Sequence, residues 1–243
     1  MPEHELWVTA LLNNYLPGLA NSILSFIGRP TQPRPWSNFI AMEIVVALVV
    51  IVAFALLRPR LSMDRPGKFQ HVFELVYQFL RGTAGDVLGH DGQRYLSYFG
   101  TIFVFILFSN LLGIIPTFES PTMFAPVPLG CALATFAFYN LSGFRAQGVG
   151  GYLKHFAGPM PLLAPLMVPI ELISHLSRPL SLTIRLYANM YAGEQVTLAF
   201  IGLAPLVIPV AFMGLHVFVA LLQAYVFTLL TMVYVAGAVA HEH

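Results

Sequence analysis

The chain has 243 residues, of which 57% are hydrophobic and 9% charged, with a formal net charge of +1. Soluble domains average about 25% charged residues, so this composition, with a mean hydropathy of +0.75, excludes an ordinary soluble domain and identifies an integral membrane protein. The net charge singles out no partner, nucleic acid is not expected, and the single cysteine, Cys131, excludes a disulfide within the chain and a cysteine-based metal cluster.

The N-terminal stretch MPEHELWVTALL opens acidic rather than basic and is not arginine-rich, so neither a cleavable signal peptide nor a transit peptide is expected. Residues 5–27 read as a short amphipathic surface helix, interrupted by Pro17 and Gly18. Apolar runs long enough to cross a bilayer, about 20 residues, follow at 38–57, 97–116 and 123–144. Two longer apolar tracts cover 161–203 and 206–240. The loop 58–95 carries six of the twelve Lys and Arg residues, and the loop 145–158 adds Arg145 and Lys154. The loop 117–122 carries only Glu119. The positive-inside rule then puts 58–95 and 145–158 in the cytoplasm. Five crossings leave the N-terminus outside and the C-terminus inside.

The last two tracts exceed an ordinary span. Forty residues of helix, Pro165 to Ala204, measure about 60 Å, against a hydrocarbon core of about 30 Å. Either each tract is broken into shorter pieces or each is a strongly tilted helix; the favoured reading is a hairpin of two long, tilted helices turning at Gly202 to Pro205, with Pro169 and Pro179 as points of bending in the first. On the first of these helices Glu171, Ser174, Arg178, Ser181, Arg185 and Asn189 recur at spacings of three and four, which aligns them on one face. Lipid disfavours such a face, because an intramembrane charge costs about 2.5–3.5 kcal/mol on insertion scales. Glu194 lies on the opposite side from Arg185 and about 13 Å further along the axis. His216 and Gln223, seven residues apart, share a face of the final helix. An antiparallel hairpin turning near residue 204 brings Glu194 towards His216 and Arg185 towards Gln223.

Polar groups of this kind also serve simply as helix glue, a role open to Ser174, Ser181 and Gln223 in particular. Arg178 reads as a side chain snorkelling to the headgroups. His175, Trp7 and Trp36 read as interfacial, and the terminal HEH as a solvated tail. Nucleotide-binding, zinc-protease and serine-hydrolase motifs are missing, so no enzyme chemistry, cofactor or metal is expected. What remains is a titratable path in two halves: Glu194 and His216 towards the outside, Glu171 and Ser174 towards the inside. Between them stands Arg185, a permanent cation that blocks direct proton hopping.

The segment RPLSLTIRLYANMYAGE, followed by LLQAYVF, resembles the subunit a family of the F-type ATP synthase, the proton-channel subunit of its membrane sector. FSNLLGIIP (108–116) resembles the same family's third helix. The resemblance implies an all-α polytopic membrane protein forming a single membrane domain over 1–243. Within it lie an outer N-terminal segment (1–36), a cytoplasmic loop with a surface helix (58–95) and a tilted hairpin (161–240) facing the ring of c subunits. It implies that Arg185 faces the ring carboxyls, with Asn189 and Gln223 as its polar neighbours. Glu194, His216 and Asn110 correspond to the outer half-channel, and Glu171, Ser174, Ser177 and Ser181 to the inner one. Some members carry an aspartate where this chain has Gly113, and Glu119 is expected to compensate as the mouth carboxylate. The implied partners are the c-ring, the b subunits of the peripheral stalk, the lipid bilayer and the whole synthase complex. The implied location is a bacterial plasma membrane. An ion-coupled transporter, expected to show an internal repeat, and a purely structural scaffold are the competing classes.

Overall fold

The computed structural model describes residues 5–62, 67–115, 118–157, 164–201 and 207–239, and all regular structure among them is helical. Two short helices, α1 (Trp7–Tyr15) and α2 (Pro17–Phe26), replace the single N-terminal helix expected over 5–27. Pro17 has no amide hydrogen to continue α1, but its fixed φ suits the first position of a new helix. The segment is tied to the chain that follows it. Asn13 receives the Trp36 amide at 2.9 Å and donates to the Trp36 carbonyl at 3.1 Å, while the Trp36 indole donates to Leu16 O at 2.9 Å. Arg34 pairs with Glu5.

The long apolar runs become α3 (Asn38–Leu57), α5 (Gly92–Leu112), α6 (Pro126–Ala157), α7 (Ala164–Ile201) and α8 (Val207–Val239). The basic loop holds α4 (Lys68–Leu88), which a tight 3-10 turn over Gly89–Asp91 joins to α5. That turn starts α5 five residues before the apolar run at 97, because the first helical turn, Gly92 to Tyr95, is polar and invisible to a hydropathy criterion. Another 3-10 turn, Pro121–Met123, precedes α6, so α6 begins at Pro126 rather than 123. Among the described residues, four helical stretches are long and apolar enough to cross a membrane: Asn38–Leu57, one within Lys68–Leu112, Pro126–Gly148 and Ala211–Val239. The chain is a multi-pass membrane protein. α7 is not among the four, since Glu171, Arg178, Arg185 and Glu194 interrupt it. It stays helical through both Pro169 and Pro179.

The main core lies where α8 packs against α5, α6 and α7, with α4 packed on α5 and α8. Phe99, Ile106, Tyr139, Leu186, Phe227 and Met232 fill it. A smaller cluster of Leu6, Ala41, Met42, Val46 and Leu112 joins the N-terminal segment and α3 to α5. The outward face of α7 and α8 keeps Ile173, Leu180, Ile184, Leu215, Phe218 and Leu222 exposed. Exposed apolar surface on this scale marks contact with lipid or another protein. The expected turn at Gly202 to Pro205 and the terminal HEH lie outside the described residues.

Candidate functional site

α7 supplies most of the site, and its buried side determines what the rest can do. Leu182, Leu186 and Met190 recur every four residues and are buried against the core. The polar residues Ser174, Ser177, Ser181 and Asn189 occupy the adjoining face and are exposed in the isolated chain. Arg185, half-buried, stands at the border of the two faces. Its guanidinium makes no hydrogen bond or ion pair to any described residue. Where lipid-facing apolar residues belong, a stripe of hydroxyls, an amide and a cation is presented.

Gln223 of α8 is buried and accepts a hydrogen bond from Asn189 Nδ2 at 2.9 Å. The partner of Gln223 is therefore one turn beyond the Arg185 expected from a hairpin symmetric about residue 204. Helical side chains lean towards their own N-terminus. In an antiparallel pair both leanings add, and each contact moves towards higher numbers than the backbone depth suggests. The Gln223 amide nitrogen is buried with no hydrogen-bond partner among the described residues.

Nearer the α7–α8 turn, the His216 imidazole rests on Gly193. A Cβ at 193 would come within 2.9 Å of its Cε1 and 3.1 Å of its Nε2. No hydrogen bond or ion pair joins His216 to Glu194. The expected pairing of these two side chains is not made as a hydrogen bond or ion pair, and the helix period explains it. Gly193 follows Leu186 by seven residues and shares the face that meets α8, whereas Glu194 sits about 100° further round. Its carboxylate lies within electrostatic reach of Glu119 instead.

Glu119 arrives on the loop that contains the 3-10 turn, which packs against α3, α5, α6 and α7. Thr122 Oγ1 donates to Asn110 Oδ1 at 2.6 Å, Ser120 Oγ donates to Ser109 O at 3.0 Å, and the two hydroxyls meet at 2.7 Å. Asn110 is fully buried, and its Nδ2 has no hydrogen-bond partner among the described residues. The loop closes over Gly113, where a Cβ would lie 2.7 Å from Ser120 Cβ. This chain therefore has no room for a side chain at 113, and the carboxylate near Glu194 comes from Glu119.

At the other end of α7, Glu171 pairs with Arg178 at 3.7 Å. The Arg178 guanidinium carbon also lies 5.9 Å from the Tyr139 ring centre and 5.3 Å from that of Tyr234. Arg178 is held between α6, α7 and α8, not released to headgroups as expected. Such cation–aromatic contacts contribute about 0.5–2 kcal/mol, more as water is excluded. His175, expected at the interface, is 6% exposed. Its Nε2 lies 2.9 Å from Asn140 Oδ1 and 3.3 Å from the Tyr139 hydroxyl, and the Tyr152 hydroxyl donates to the same Asn140 oxygen at 2.9 Å. This cluster was missed in the sequence, although one signal was available: His175 precedes the buried Leu182 by seven residues and therefore shares its face.

The sequence model of the ATP synthase A chain family matches residues 40–236. The chain is 61% identical to a protein of Solibacter usitatus over 96% of its own length and 100% of that protein's. It is 51% identical to one of Koribacter versatilis over 99% of both chains. It is 40% identical to one of Nitratidesulfovibrio vulgaris over 100% of its own length and 98% of the relative's. All three relatives are named ATP synthase subunit a.

Proposed function

The chain belongs to the ATP synthase A chain family, and on that premise we propose that it is the stationary proton-channel subunit of an F-type ATP synthase. It passes protons to and from carboxyl groups of a rotating c-ring through two offset half-channels. The observation that carries this reading is Arg185, a cation without a hydrogen-bond or ion-pair partner among the described residues, on a polar face that the fold leaves uncovered. Left in lipid, such a charge costs about 2.5–3.5 kcal/mol. A carboxylate on a partner subunit removes that cost and gives the arginine a purpose.

In this mechanism a proton enters from outside past Glu119 and Asn110, and reaches the region of Glu194 and His216. It neutralises a ring carboxylate, which then turns into lipid at low cost. After nearly a full rotation the carboxyl meets Glu171, Ser174, Ser177 and Ser181, and releases its proton inside. It returns past Arg185 as an anion, favoured there by opposite charge. Asn189 and Gln223 hold the surroundings of the arginine in place, and the buried Gln223 and Asn110 amide nitrogens offer donors to water or to the ring. Each proton crossing 100 mV delivers about 2.3 kcal/mol. The ATP chemistry belongs to other subunits, and the peripheral-stalk b subunits hold this one still.

The chain sits in a bacterial plasma membrane with its N-terminus outside and its C-terminus inside. α3, α5, α6, α7 and α8 make five crossings, while α4 lies along the inner surface. α7 has 38 residues, about 57 Å of helix, so it fits a core of about 30 Å by tilting and by extending beyond it. Arg185→Ala in inverted vesicles holding the whole complex tests the assignment. ATP-driven acidification is expected to vanish with the complex still assembled. Wild-type pumping in that variant would mean that the stripe is helix glue.

A further inference from the structure

On the side of the bundle away from Arg185, two membrane-crossing helices part. Met42 and Val46 of α3 pack with Leu112 of α5 at one end of the pair. Towards the other end α3 and α5 enclose a cavity of about 730 Å³, with residues 47–57 of α3 on one wall and 93–105 of α5 on the other. α4 forms its floor. Gln70, Phe73, Glu74, Tyr77 and Leu80 line it at spacings of three and four, which is one face of a helix. Phe54 and Phe73 meet edge to face at 5.2 Å and fix the corner between α3 and α4. A Cβ at Gly100 would find nothing within 4 Å, so the α5 wall is open there.

The dimensions select the occupant. Ala47 to Leu57 rises about 15 Å and Gln93 to Phe105 about 18 Å. One leaflet contributes about 15 Å of hydrocarbon, half of a core of about 30 Å. The cavity is therefore one leaflet deep. A membrane-crossing helix of another subunit needs the full 30 Å or so and does not fit above a floor. The volume falls in the range of small-molecule sites, about 300–1,000 Å³, which are mostly apolar with a few placed polar groups.

Those polar groups are built in. Gln70 is 7% exposed. Its Oε1 accepts the Ser62 amide at 3.0 Å, and its Nε2 donates to Ser62 O at 3.0 Å and to Glu74 Oε1 at 2.6 Å. One oxygen of the Glu74 carboxylate is thus held in place, while the other faces exposed His71 at 3.7 Å. Among the described residues lining the cavity, Glu74 is the single charged side chain. It favours a cation and disfavours an anionic headgroup.

Resting on the reading that α4 lies along the membrane surface, we infer that this cavity binds one phospholipid of the adjoining leaflet, with an acyl chain between α3 and α5 and an amine headgroup at Glu74. The chain gives the parted helices the packing contacts that a void withholds, and the headgroup confers selectivity.

The test uses the whole synthase in vesicles of phosphatidylethanolamine and phosphatidylglycerol. A trace of either lipid carries a diazirine in its acyl chain, and labelled residues are located by mass spectrometry after irradiation. Label is expected on residues 47–57 and 93–105, stronger from the ethanolamine lipid by about two- to fivefold, as a part-exposed ion pair gives. Glu74→Gln is expected to abolish that preference. Gly100→Phe, which fills the cavity, is expected to remove the label, and Ala47→Phe does the same from α3 should the first variant fail to assemble. Equal labelling by the two lipids in the wild type, or a preference that survives Glu74→Gln, overturns the headgroup assignment; these two arms decide without the filling variants. Label that persists in a filled cavity means bulk lipid only and overturns the site. A photoactivatable benzophenone on Thr101→Cys that attaches to another subunit rather than to lipid overturns it as well. A diazirine in the headgroup tests the premise separately, since exposed Phe69 and Val72 of α4 take its label wherever α4 lies on the surface. Unlabelled Phe69 and Val72 remove that placement and the inference with it; labelled ones beside an unlabelled cavity remove the site alone.

Discussion

Gly193→Ala separates the position of His216 from the stability of the helix that carries it. A Cβ at this site meets the imidazole Cε1 at 2.9 Å, whereas carbon atoms rest at about 3.5–4.0 Å. Either the ring or the helices must move by about 0.6–1.1 Å. Two energies then oppose each other. Replacing glycine by alanine inside a helix gains about 1 kcal/mol in propensity, while overpacking costs about 1–3 kcal/mol. The net penalty, about 0–2 kcal/mol by these figures, is small enough for assembly to survive. The displaced ring is a different matter, because a misplacement of about 1 Å in a reacting group lowers rates by up to about a hundredfold. Proton pumping by inverted vesicles is expected to fall between about ten- and a hundredfold, with subunit content of the membrane unchanged. In a background already carrying His216→Ala, the added methyl has no ring to displace and is expected to do nothing more. Wild-type pumping by Gly193→Ala would refute the reasoning, because His216 would then act without needing the place it occupies against Gly193.

Two other substitutions probe the supports of the path. Thr122→Val keeps the shape of the side chain but removes the 2.6 Å hydrogen bond to buried Asn110; the orphaned acceptor is expected to cost about 1–3 kcal/mol, read as a lower midpoint for heat-induced loss of the solubilised complex, and an unchanged midpoint would show that the bond contributes nothing. Gly148→Ala forces an alanine to a φ of 72° at about 1–3 kcal/mol, and a midpoint equal to wild type would mean that the bend in α6 is not maintained.

The elements of this fold are written in runs of side chains, and those are local. A run of apolar residues from Asn38 to Leu57 excludes any other structure in a bilayer, because the backbone must satisfy its own hydrogen bonds there, and α3 spans those residues. Boundaries were less legible where a helix begins in polar residues, as α5 does at Gly92. The same holds where a proline restarts one, as at Pro17. The polar stripe of α7 follows from the 3.6-residue period alone, and its exposure beside Leu182, Leu186 and Met190 needed only the fold to display it.

Neighbours across helices belong to the tertiary structure, because they depend on a register and a rotation that neither helix encodes by itself. Asn189 and not Arg185 bonds Gln223, since side chains lean along their own helices and antiparallel leanings add. Gly193 and not Glu194 receives His216, since one residue is 100° of rotation. Gly113 is closed by Ser120, which no composition of the loop reveals. His175, Asn140 and Tyr152 lie far apart in the chain, and a bend at one glycine brings the third back to the other two. The sequence by itself determined that this is a helical membrane protein with a charged, polar face on the first of its two long final helices. Only the packing of α6, α7 and α8 decided which groups each charge meets, because contacts between helices are set by geometry summed over the whole bundle.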